Sequence, residues 1–235
     1  MRFRSIVIFL LALAVAASAL YLRRRPRPEA DVGEHEQGIV LPTAEPTPFP
    51  SPPAIAAPAF AEVQPTLDRV FDQTLTMDRV ARPAFVAGDF NGDEVTDLAV
   101  AVRPRSGDAL PALNAELANW SVQDAAAPAT LTLSQPEPVK VAAGDLLLAV
   151  VHGVGAGGWR DPQARQCYLV KNAVGSSLQQ RPLSGVPATI RMRANRTHAG
   201  DVITGNRGGE RGLILWTGAT YIWAELKTGP ASKGR

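Results

Sequence analysis

The chain has 235 residues, a formal net charge of +2 from 24 basic and 22 acidic side chains, and a single cysteine, Cys167. One cysteine excludes an intramolecular disulfide and any thiolate metal cluster built from this chain alone. The charge is unevenly laid out: six Arg and no acid in residues 1–28, five acids and no Lys or Arg in 29–61, and 18 basic against 17 acidic residues thereafter. So even a balance gives no basic field that would select nucleic acid or an anionic membrane surface.

Arg2 and Arg4 precede an uncharged run from Ser5 to Leu22, 18 residues long, at the short end for a membrane span. Residues 1–25 read as a transmembrane anchor or a signal peptide, an N-terminal hydrophobic helix in either case. Ala17-Ser18-Ala19 suits signal peptidase, whereas Arg23-Arg24-Arg25 directly behind the apolar run resists translocation and stabilises an uncleaved helix. Membrane contact is expected through this helix only. Residues 26–61 lack an apolar period and place Pro42, Pro46, Pro48, Pro50, Pro52, Pro53 and Pro58 within 17 positions. They read as a Pro-rich disordered linker. At about 3.1 Å per residue, those positions would span on the order of 50 Å. Flanking arginines alone would favour a cytoplasmic domain. The spacer and the loop described below argue for an extracytoplasmic one, in the cell envelope or secreted.

Residues 62–235 are the expected working domain. Thr66–Val80 sets Leu67, Val70, Phe71, Leu75 and Met77 at roughly helical intervals, with Pro65 near the first turn and Pro83 beyond the end, predicting a short helix. Downstream the pattern is of short strands punctuated by Gly and Pro: Leu98–Val102, Trp120–Val122, Thr130–Leu133, Leu146–Val151, Cys167–Val170 and Leu213–Trp216. Cys167 then reads as a buried thiol in a strand. The triplet Ala-Gly-Asp occurs at 87–89, 143–145 and 199–201, an interval of 56 residues both times. That spacing predicts a mostly β domain of about three propeller-blade-like antiparallel repeats. Closed propellers need at least about four blades, so the expected form is an open or partial propeller, a sandwich-like domain, or a ring completed as a homo-oligomer.

The richest segment is Asp89-Phe90-Asn91-Gly92-Asp93-Glu94-Val95-Thr96-Asp97. Counting Asp89 as position 1, side-chain oxygens fall at 1, 3, 5 and 9 (Asp89, Asn91, Asp93, Asp97), with the Val95 carbonyl at 7. All-oxygen donors on a tight, irregular loop suit Ca²⁺, which takes six to eight oxygens at about 2.3–2.6 Å. An EF-hand would need a carboxylate at position 12, where Val100 stands in an apolar run. The stretch from Val86 to Val102 resembles the FG-GAP or VCBS-type repeat, whose core pattern is D-F-N-G-D-G-x-x-D-L. The resemblance implies a blade of an integrin-α-like β-propeller and passes the calcium-ligand roles to Asp89, Asn91, Asp93 and Asp97. Glu94 departs from the family's second glycine, and if that position needs positive φ the turn is strained there.

Other signals are weaker. Gly153-Val154-Gly155-Ala156-Gly157-Gly158 matches a dinucleotide fingerprint formally, but Trp159-Arg160-Asp161-Pro162 cannot continue it as a helix, so a flexible hairpin turn is expected. His35, His152 and His198 are widely spaced, and the last two fit turn or surface roles. Trp216, Tyr221 and Trp223 are expected in the core. The expected function is non-enzymatic: a calcium-binding, envelope-exposed module that binds a protein or glycan. The rival is an accessory subunit or remnant of an envelope polysaccharide-active enzyme, with Asp145, Asp161 or Asp201 as acid or base.

Overall fold

The computed structural model describes residues 57–127, 137–175, 177–194, 200–207 and 209–226. The expected hydrophobic helix of 1–25, nearly all of the linker and the strand expected at Thr130–Leu133 lie outside them. Among the described residues no helix is long and apolar enough to cross a membrane.

Helix α1 (Phe60–Val70) buries Val63, Thr66, Leu67 and Val70 along one face. Glu62, in its first turn, accepts a hydrogen bond from the Ala59 N–H (3.0 Å), and its negative charge suits the positive end of the helix. The helix starts and stops earlier than the predicted Thr66–Val80, and Pro65 lies inside it. The early stop has a local cause. Asp72 and Gln73 take φ of 48° and 58°, and the Gln73 N–H closes on the Asp68 carbonyl (3.0 Å), a C-terminal cap built without glycine. Beyond it, strand β1 (Leu75–Met77) alternates buried, exposed, buried. No Gly or Pro marks the break, so Leu75 and Met77 continued the helical spacing in the sequence.

The strands fall into two open sheets. The first contains β1, β2 (Phe85–Gly88), β3 (Asp97–Pro104), β4 (Ser121–Asp124), β5 (Leu147–Val151) and β6 (Cys167–Lys171), in the order β1-β3-β5-β6-β4 with β2 also on β3. β1 pairs with the end of β3 and β2 with its beginning, both antiparallel, so they share one edge. Among the described strands of this sheet, β4 and β6 form the one parallel pair. The second sheet is an antiparallel meander of β7 (Gln179–Arg181), β8 (Val202–Arg207), β9 (Glu210–Trp216) and β10 (Tyr221–Glu225), in the order β10-β9-β8-β7. The short helices α2 (Leu110–Leu113) and α3 (Ala188–Arg191) lie in connections.

β3 and β5 are apolar at nearly every position because both faces of their sheet are covered. On one face Leu98, Val100, Val102, Leu147, Ala149 and Val151 pack with Val63, Leu67 and Val70 of α1. On the other, Ala99, Ala101, Leu148 and Val150 meet Ile203, Ile214, Trp216, Tyr221 and Trp223 of the second sheet. The far face of that second sheet carries Val202, Leu213, Leu215 and Ile222, covered by Leu183, Val186 and Ile190. The two sheets also touch at both corners through isolated bonds: Leu178 N–H to Pro83 O (3.3 Å), and Trp223 N–H to Ala125 O (3.0 Å). Of the forms expected, the sandwich-like one describes this packing.

Among the described residues the strands form one sheet of six and one of four rather than three equivalent blades. The triplets explain the difference. The first ends β2 and opens a loop, the second is a turn leading into β5, and Gly200-Asp201 of the third leads into β8. Asp145 of the second accepts from Ala142 N–H (2.8 Å) and pairs with Lys171 (2.7 Å). The first and third touch each other instead of repeating about an axis: the Asp89 N–H donates to Asp201 Oδ2 (3.2 Å), and the Asp201 N–H returns a bond to the Asp89 carbonyl.

Candidate cation-binding loop

The acidic segment is the connection from β2 to β3, closed at its base by the pairing of Gly88 with Asp97. Phe90 anchors it, with 2% of its surface exposed, among the side chains between the sheets. The residues singled out from the sequence are brought together here, but they play unequal parts.

Asp97 is fully buried. Its Oδ2 accepts the N–H groups of Phe90 (2.8 Å) and Asn91 (3.2 Å), and its Oδ1 accepts the N–H of Gly153 (2.7 Å) from the neighbouring β5–β6 connection. Burial, helped by the charges of Asp93 and Asp89, pushes its carboxyl up to about 7 against the pull of the Gly153 and Phe90 N–H groups. Asp89 organises the turn: Oδ1 accepts from Gly92 (2.7 Å) and Asp93 (3.1 Å), and Oδ2 from Glu94 (2.9 Å). Asn91 and Asp93 lie at the outer end, where Asn91 Nδ2 donates to Asp93 Oδ2 (2.8 Å), Asn91 Oδ1 accepts from the Asp93 N–H (3.1 Å), and Asp93 Oδ1 accepts from the Val95 N–H (2.9 Å). Glu94 has φ of 66° and so occupies the left-handed region, where a non-glycine costs on the order of 1 kcal/mol.

The donor set is carboxylate and amide oxygen, the chemistry a hard cation takes. Asp89, Asp93, Glu94 and Asp97, with Asp201 joined to the loop's backbone, form no ion pair among the described residues. A cation would neutralise that charge, with Asp89, Asn91 and Asp93 as side-chain ligands and the Val95 carbonyl as a main-chain one. In the present arrangement Asp97 is the loop's internal acceptor, and no group of three or more Asp, Glu, His or Cys among the described residues is gathered tightly enough to hold a metal ion. To hold a cation, Asn91 and Asp93 would have to release each other, and the Asp89 oxygens would have to share their main-chain donors with the ion.

Two glycines packed against the loop were not read from sequence. Gly153 supplies a donor, and a Cβ there would overlap the Thr96 carbonyl and stand 2.8 Å from Gly158. The glycine-rich run is thus a turn packed against the loop, with Thr96 O also accepting from the Trp159 N–H (2.9 Å). Gly200 is the second, since a Cβ on it would lie 2.6 Å from Asp89 O and 2.7 Å from Gly92 N. His152, expected in a turn or at the surface, is instead 1% exposed. Its N–H continues the β5–β6 ladder to Gln166 O (2.9 Å), which turns the ring inward onto Tyr168, Trp216 and Tyr221 at centroid distances of 5.0, 5.2 and 5.9 Å. Nε2 is 2.7 Å from Tyr221 Oη and Nδ1 has no partner.

Burial lowers the His152 imidazole from 6.5 to about 4, against the opposing charge of Asp93. The unfolded chain therefore binds a proton that the folded chain refuses. The His152 contribution to stability is full above the unfolded value of 6.5 and declines as pH falls from 6.5 toward 4, by about 3 kcal/mol, while the raised Asp97 carboxyl, protonated first in the folded chain, works in the opposite direction between 7 and 4. In urea titrations across that range His152→Gln should therefore gain stability relative to the wild type as pH falls; a constant difference between the two would remove His152 as a source.

Cys167 sits in β6 with its Sγ toward the Asn119 carbonyl (3.5 Å). Burial pushes its thiol up to about 12, which leaves no thiolate for nucleophilic chemistry. The carboxylates named for acid–base work are each engaged locally: Asp145 with Lys171, Asp201 with Asp89, and Asp161 Oδ1 with the Gln163 N–H (2.8 Å). Compared with protein-family models, curated proteins and solved structures, the chain matches none.

Proposed function

We propose that the chain is an exported, envelope-held binding module in which one inter-strand loop takes Ca²⁺ and the β domain engages a protein or glycan. The observation that carries this reading is the set of carboxylates around residues 89–97 that no Lys or Arg neutralises among the described residues. The charges of Asp93 and Asp89 both act against an ionised Asp97, a cost that a divalent ion would remove. The role is structural, since the ion would tie the exposed end of the loop to a base already fixed by Asp97. No acid–base pair enters the reading, because Asp145, Asp161 and Asp201 are each bonded elsewhere. No second copy is invoked to complete a ring, because the two sheets already cover one another.

Calcium should raise the melting temperature of the full chain by about 5–10 °C at a hundredfold excess over Kd, from a linkage of about 2.7 kcal/mol. Asn91→Ala and Asp93→Ala should abolish that shift while leaving the calcium-free melting temperature nearly unchanged. Absence of any shift at millimolar Ca²⁺, or a shift retained in both variants, would overturn the reading.

A further inference from the structure

We propose that the far face of the second sheet carries a site for a tetrahedral dianion, a phosphate or sulfate ester group borne on a larger molecule. The site is a cleft of about 200 Å³ lined by Arg181, Arg211, Gln179, Ser177, Thr204 and Asn206. Strand register explains why these meet. Gln179 pairs with Thr204, and Thr204 with Leu213, so all three share the face that Leu213 lines. Arg181 is two residues along β7, and the facing pair Asn206 and Arg211 is two residues along β8 and β9. A period of two returns each side chain to the same face.

The floor lies at the Gly205–Gly212 pair. A Cβ on Gly212 would overlap the Trp223 ring and one on Gly205 would stand 2.7 Å from Ala173 O, both on the opposite side. At this pair the cleft meets main chain alone. The α3 segment covers the apolar part of the face at Val202, Leu215 and Ile222 and leaves the polar end open.

The chemistry selects an anion. Two arginines line the cleft, none of the described lining residues is Asp or Glu, and neither Arg181 nor Arg211 enters an ion pair among the described residues. Asn206 Oδ1 accepts from the Gly209 N–H (2.9 Å), which fixes the amide and leaves its Nδ2 as a donor. The Thr204 hydroxyl is held by donation to Gln179 O (3.2 Å). Glu225, which pairs with Gly212, belongs to the other face, with Arg207 and Trp223. Two planar forks suit the paired oxygens of a phosphoryl or sulfuryl group, and a double positive charge matches a dianion better than a carboxylate. Size decides the rest. Pockets that enclose a whole small molecule run from about 300 Å³ upward, so this cleft takes a single charged group while the rest of the ligand remains outside. The site stands whether or not the acidic loop binds a cation.

Amide chemical shifts of the full chain, titrated at neutral pH with inorganic phosphate, sulfate, acetate and glucose 6-phosphate, test this. Phosphate and sulfate should shift Gly205, Asn206 and Gly212 saturably in the low-millimolar range, and glucose 6-phosphate should bind at least as tightly as phosphate. Arg181→Gln and Arg211→Gln should each weaken binding about tenfold and the double variant should lose it, while Arg193→Gln, outside the cleft, should not matter. Equal binding of acetate, an unchanged response in the double variant, or exclusion of glucose 6-phosphate would each overturn the proposal.

Discussion

Asp97→Ala is expected to cost about 3–4 kcal/mol of unfolding free energy, with or without calcium. The carboxylate is buried and accepts three main-chain N–H groups, from Phe90, Asn91 and Gly153. Removing it leaves buried donors without acceptors, each costing on the order of 1–3 kcal/mol and not strictly additive. Asp97→Asn should fall between, since its amide keeps one acceptor but opposes a second donor to N–H groups already there. The contrast with Asp93 is the informative part. Asp93 is exposed and accepts from Asn91 and Val95 at the outer end of the loop, so Asp93→Ala in chelator should cost no more than about 1 kcal/mol. Urea unfolding in chelator and in calcium separates the two roles. A loss below about 1 kcal/mol for Asp97→Ala in chelator would show that Asp97 acts through the ion and not through the loop's own backbone.

Gly153→Ala should be as damaging, at about 3 kcal/mol or more, and Gly157→Ala nearly silent. Both glycines belong to the same run, and sequence alone does not distinguish them. A methyl on Gly153 would occupy the place of the Thr96 carbonyl and crowd Gly158. Main chain meets main chain there, so the overlap is relieved only by moving the loop off the β5–β6 connection, at a cost at or beyond the upper end for overpacking. The same shift would pull the Gly153 N–H from Asp97. A methyl on Gly157 would meet the Asp161 side chain at 3.2 Å, which a small rotation accommodates. Thermal unfolding of both variants measures the difference, and equal losses would mean that the run acts through chain entropy rather than through its seat on Thr96.

The strands that sequence reveals are those buried on both faces. Leu98–Val102, Leu146–Val151 and Cys167–Val170 are continuous apolar runs because β3, β5 and β6 are covered twice, and each run matches its strand to within two residues at either end. Elements with no such signature were missed. β7 is Gln179-Gln180-Arg181, polar and exposed at all three positions, and it is a strand only because β8 pairs with it. β10 was legible as an aromatic group, Tyr221 and Trp223, but not as a strand edge. The acidic loop was legible because its chemistry is local, in Asx turns that bond two to five residues away. Its outer supports, Gly153, Gly200 and Asp201, come from 56 to 112 residues away, and a single sequence carries no sign of that pairing. The regular recurrence of Ala-Gly-Asp suggested rotation about an axis, whereas two of its three copies are the two halves of one contact.

That contact bears on the order in which the chain acquires structure. The hydrogen bonds between Asp89 and Asp201 close a loop of more than a hundred residues, and the closing entropy must be met before the bonds repay it. The β2–β3 hairpin can pair early from its own residues, yet its turn settles only when the start of β8 arrives. In refolding, protection of the Gly92 and Glu94 amides should therefore lag behind that of Val100, and any cation bound there would be captured late, as a lock on a finished structure rather than a seed for it.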